Sequence, residues 1–184
     1  MSLRKPAGSL LEEANVSDTR APKTLFFAIV AAGILQCFHD YPLLPNRLAS
    51  HFAASGNANG WMTKSQFLLT YAVVILPALA LEFWVPRRIA GRPDNRLRLP
   101  NKEFWLAPDR RAETFVYLEN FFAWYGCAFL LLEVFAMGLA MRANFQSPPQ
   151  LPTGPIVSAI VVFVFFNIAW VTAMFRRFSK PPPG

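Results

Sequence analysis

The sequence predicts an all-α integral membrane protein, a four-helix bundle with its N- and C-termini both on the cytoplasmic side. Two observations predict it. Four apolar stretches, Thr24–Tyr41, Ser65–Val85, Thr114–Met141 and Ile156–Phe175, each approach or exceed the length that crosses a hydrocarbon core of ~30 Å at ~1.5 Å per residue. Of the 18 Lys and Arg, all but Arg47, Lys64 and Arg142 fall in alternate polar segments: before the first stretch, between the second and third, and after the fourth. Cations beside a span resist translocation, which places those segments inside.

Composition agrees. A chain that is 54% hydrophobic and 16% charged, with 18 Phe, suits one small domain dissolved in lipid. The net charge of +7 does not point to nucleic acid, because the basic residues flank apolar spans and form no stripe on a soluble module. Their expected partners are anionic lipid headgroups, chiefly at the basic inner loop. The resulting organisation is a cytoplasmic tail over residues 1–23, a membrane domain over 24–175 and a second cytoplasmic tail over 176–184.

The first tail carries a short helical pattern around Ser9–Asn15 within a frayed segment. Its polar leader is too long for a secretory signal, and no small-residue cleavage site follows, so the first span is expected to remain as an anchor. Ala28, Ala32 and Gly33 are small enough to let another helix approach. Pro77 predicts a kink in the second span, since it lacks an amide donor and crowds the preceding turn. The third span, about 42 Å long, must tilt or project from the bilayer. The fourth opens at Thr153-Gly154-Pro155, and Lys180-Pro181-Pro182-Pro183-Gly184 cannot continue it. Cys37 and Cys127 each lie thirteen residues from the inner start of their spans, which predicts similar depth and the behaviour of two buried thiols.

Three carboxylates fall inside apolar stretches, where an ionisable group costs several kcal/mol. Glu82 lies one turn from the inner end of its span, within reach of Arg87 or Arg88, and Glu119 is similarly shallow; both are expected to be interfacial. Glu133 lies deeper. Asn167 on the antiparallel fourth span falls at a comparable height, and the two are expected to meet as an intramembrane polar pair. Glu119 and Glu133, four turns apart, share a helix face.

In the outer loop after the first span, Pro45 is placed to open a short interfacial helix ending near Phe52. Gly56 and Gly60 supply turns, and Trp61 anchors the chain at headgroup level before Lys64. His51, with His39 and Asp40 on the same side, falls short of the ligand number of a zinc site, and neither Ser50 nor Ser55 has the turn motif of a catalytic serine. No catalytic residue, metal or cofactor is expected. The series Leu44, Pro45, His51, Phe52, Gly56, Gly60, Trp61 and Lys64 resembles the domain of unknown function 1648, a prokaryotic membrane domain similar to the opening part of Sdp-type toxin-immunity proteins. That resemblance is best over Thr24–Val85, and it implies a multi-pass protein of the cytoplasmic (inner) membrane with an immunity-like or related role.

In the inner loop, Phe104 and Trp105 among arginines, within Asn101–Arg111 and with Arg110 at its end, predict an amphipathic segment that lies on the inner headgroups or binds a soluble partner. The function expected is therefore non-enzymatic: an accessory, sensory or immunity-like component that meets a membrane or cytoplasmic partner through its loops. The alternative is a small proton-coupled transporter using Glu133 and Asn167.

Overall fold

Lipid offers no partner to backbone N–H and C=O groups, so each apolar segment closes its own hydrogen bonds as a helix. The computed structural model describes residues 7–179, with side chains from Arg20 onward. Helix α1 runs over Ala7–Asp40 and ends in a 3-10 turn, Tyr41–Leu43. Two antiparallel strands follow, β1 (Arg47–Phe52) and β2 (Ala58–Thr63). The second span comprises α2 (Lys64–Val74), α3 (Leu76–Leu79), a π-helical turn over Ala80–Trp84, and α4 (Val85–Ala90). A short helix α5 (Lys102–Trp105) precedes α6 (Arg111–Ala143), and α7 (Thr153–Ser179) is the last span. Four helical stretches, Arg20–Leu43, Lys64–Ala90, Arg111–Ala143 and Thr153–Ser179, are long and apolar enough to cross a membrane. This is a multi-pass membrane protein, and each span extends past the bounds expected from hydropathy.

The polar residues ahead of Thr24 continue α1 back to Ala7 instead of fraying; the expectation for Lys180–Gly184 falls outside the described residues. Pro77 has the expected effect: the second span is interrupted at Ile75, and Pro77 sits in the first turn of α3. Pro86 likewise occupies the first turn of α4, directly after the π turn. A proline N–H is missing at both places, which frees carbonyls one turn earlier and loosens the ladder there.

Helix α6 is the central element, with α1 on one side, the α3-to-α4 stretch on another and α7 along a third. One core joins Phe26 and Ile29 of α1 to Ala78, Cys127 and Leu130; a second, under the strands, joins Leu44, Leu48, Phe67, Tyr71 and Met141. Helix α7 is attached differently. Phe163, Phe166 and Trp170 stack along Phe121, Tyr125 and Phe129 of α6, with Phe121 and Trp170 at 4.0 Å between centroids. Other α7 side chains, among them Val161, Phe165, Ile168 and Val171, are exposed, which costs nothing in a solvent as apolar as the side chains.

Of the small residues in α1, Gly33 is buried at the helix contact, where a Cβ would come within 3.0 Å of the Tyr71 hydroxyl and 3.1 Å of Val134; Ala28 and Ala32 face outward. Gly138 serves the same end in α6, since a Cβ there would collide with the Gln36 amide.

Candidate functional site

The loop after the first span is a β-hairpin and not the interfacial helix expected from Pro45. Extended backbone wins because β2 offers an antiparallel partner, and because the fold ties the hairpin down at several points. Lys64 donates through Nζ to the carbonyls of Pro42 (3.3 Å) and Leu44 (3.1 Å), and its ammonium lies 4.5 Å from the centre of the Tyr41 ring. A cation is thus placed on the unpaired carbonyls at the C-terminal end of α1. Thr63 and Gln66 form a capping box that starts α2 directly from β2. At the tip, Gly56 has φ +85°, and its N–H donates to Ala53 at 2.8 Å. A Cβ at Gly56 would run into the Leu151 carbonyl, while Leu151 N–H donates to the Gly56 carbonyl at 2.9 Å. Gly60 pairs with His51 across the ladder, and a Cβ there would meet the His51 Cβ at 2.9 Å. The glycines, the histidine and the lysine of the motif are therefore explained by one local structure.

A residue that sequence reasoning missed completes it. Asn144, at the outer end of α6, accepts from Ala49 N–H at 2.7 Å and donates to the Ala49 carbonyl at 2.9 Å. Its side-chain amide acts as a one-residue strand against the free edge of β1, where the backbone groups would otherwise be buried without partners. Nothing in the local sequence marks Asn144; only its place just after the span hints at a cap. Pro45 precedes β1 and Phe52 is its last residue, while His51 and Trp61 are exposed. His39 pairs with the buried Asp40 at 2.7 Å, and the described residues hold no cluster of three or more His, Cys, Asp or Glu able to bind a metal ion.

On the opposite, basic face, the segment Asn101–Arg111 folds onto the chain itself. Asn101 stands in the left-handed region (φ 50°), and its amide donates to the carbonyls of Phe178 and Ser179, each at 3.0 Å. Trp105 Nε1 donates to Phe178 O at 3.1 Å, and its ring meets Phe178 edge-on at 5.4 Å. The last carbonyls of α7 are thereby satisfied. Trp105 is buried, against the expectation of an aromatic lying on headgroups, because α7 ends directly over it. Arg177 lies 4.7 Å from the Trp105 ring, Arg110 lies 4.1 Å from Phe104, and Arg111 bridges to Asp94 at 3.2 Å.

The intramembrane carboxyls also differ from expectation. Asn167 does not pair with Glu133: its Oδ1 accepts from the Tyr125 hydroxyl at 2.6 Å, and its Nδ2 donates to Phe163 O. Glu119 holds Lys23 at 2.8 Å. Glu82 does not reach Arg87 or Arg88. It is buried against α6, at the level of Gly126. The π turn gives the reason: an extra residue in one turn rotates the side chains by ~100° relative to a regular helix. Lys23, Glu82, Arg87 and Glu119 line one cavity of about 360 Å³, walled by Phe83, Pro86 and Phe115.

Cys37 and Cys127 are both free and lie at different depths. The Cys127 thiol donates to Pro22 O, so it stands level with a residue ~22 Å below Cys37 along α1. Equal spacing from the span starts was misleading because α6 begins further toward the basic face than α1's apolar stretch does.

No curated protein and no solved structure matches the chain. Residues 26–81 match the model of a domain of unknown function, DUF1648, a stretch that runs from Phe26 in α1 through the whole hairpin to Leu81 in the π turn. That match takes in the motif from Leu44 to Lys64, so over this part the chain is similar to the DUF1648 domain.

Proposed function

We propose that this protein is a non-enzymatic component of a prokaryotic cytoplasmic membrane, basic face inside, with an accessory, sensory or immunity-like role, and that it meets its partner through the hairpin. One observation carries the reading: the hairpin is pinned at its base, at Ala49 and at its tip, yet leaves His51, Asn59 and Trp61 exposed. An isolated two-stranded hairpin is marginal in water. Here Leu48 and Ala49 within β1 are fully buried and Asn144 and Lys64 clamp the hairpin, which suits a preorganised recognition surface. Such a surface carries an aromatic anchor and polar groups.

The carrier alternative rested on Glu133 meeting Asn167, and the Tyr125 bond to Asn167 removes that support. The test of the recognition reading is purification of the tagged chain from its native membrane in mild detergent. A second polypeptide should co-purify, and should be lost when His51 and Trp61 are both replaced by Ala while membrane abundance stays unchanged. Recovery of the chain alone would sink the reading.

A further inference from the structure

The cavity on the basic face supplies an observation that the hairpin does not use. Glu82 is 2% exposed, and both of its carboxyl oxygens are sealed and without a hydrogen-bond partner among the described residues. An ionised carboxylate in such a place costs several kcal/mol, whereas the neutral acid is tolerated at far lower cost. The groups that face it come from each packed element: Lys23 from α1, Arg87 from α4, and Glu119 and the Cys127 thiol from α6. Hard divalent cations ask for six or more oxygens, and this site has two carboxyl groups, one already committed to Lys23.

We propose that Glu82 is a proton-binding site, with Lys23 and Glu119 as its switchable counter-charges. In the described state Glu82 holds the proton and the Lys23 ammonium rests on Glu119 at 2.8 Å. Release breaks the carboxyl O–H bond, leaves its electron pair on the carboxylate and passes the proton to water or a solute base at the cavity mouth beside Arg87. The new anion then draws the half-exposed Lys23 ammonium, on its flexible stem, to bridge Glu82 and Glu119. Uptake reverses both movements. The π turn that carries Glu82 lies between the interruption at Ile75 and Pro86, so a change of charge acts where the span's own hydrogen bonding is weakest.

The test uses the full chain in membranes and N,N′-dicyclohexylcarbodiimide, an apolar reagent that attacks protonated carboxyls, with adducts mapped by mass spectrometry. Glu82 should be modified at neutral pH, modification should fall about tenfold per pH unit once the group ionises in alkaline buffer, and Glu82→Gln should abolish that adduct. Glu119 should stay unmodified until Lys23→Met removes its partner. An unmodified Glu82, or modification indifferent to pH, overturns the proposal, and so does a Glu119 that reacts equally with Lys23 present. The pattern on the unaltered chain decides the matter even where a variant fails to fold.

Discussion

Asn144 shows how much of this fold hangs on single polar side chains. Its amide replaces a missing strand for Ala49, whose N–H and C=O lie over a closed core. Replacing Asn144 by Ala leaves a buried donor and a buried acceptor unpaired, each a loss of about 1–3 kcal/mol. Thermal unfolding in detergent should show a lowered midpoint corresponding to about 2 kcal/mol or more, whereas Ala at the exposed neighbour Gln146 should stay within about 0.5 kcal/mol. At this scale the sequence was legible where a residue's own chemistry dictates its conformation. Gly56 at positive φ and Lys64 at a helix end are such cases. It was opaque where the partner is remote: Asn144 lies 95 positions from Ala49, and no spacing rule spans that distance.

Among the elements, the spans were legible and their couplings were not. Apolar length finds a helix, because lipid forces the backbone to close on itself. The hairpin escaped because Arg47–Phe52 holds Ala, Ser and His, weak strand formers, and gains its conformation from β2, Asn144 and Leu48 burial. Glu82 departs from its expected place because a π turn replaces regular α-helix at Ala80–Trp84, which no residue type there announces. The inner segment was misassigned for a related reason: an amphipathic sequence beside a membrane does not disclose whether lipid or a neighbouring helix covers its aromatic face. Trp105 separates the two contributions. Trp105→Phe keeps a ring against Phe178 and loses one hydrogen bond, so a loss of about 1 kcal/mol is expected. Trp105→Ala empties the site and should cost about 3–5 kcal/mol. Accelerated proteolysis between Arg92 and Arg111, greater for the Ala variant, is the measurement that checks both.

For the molecule as a whole, four crossings put the hairpin and the basic segments on opposite faces. With Cys37 and Cys127 both replaced by Ala, a single cysteine at Asn57 should react with a membrane-impermeant maleimide on intact cells. One at Arg98 should react only after permeabilisation. Labelling of both from the same side would contradict the charge-based orientation. Helix α7 has a consequence of its own. Neither of the two cores that hold α1, α6 and the second span together contains a residue from it. Those two cores can therefore close while the last span is still being synthesised, and only a third, where Phe178 meets Trp105 and Leu118 on the basic face, waits for it. The late arrival then zips its rings along one neighbour and is fastened at the far end by a side chain made some eighty residues earlier, so the nascent chain sets its own lock before the bolt exists.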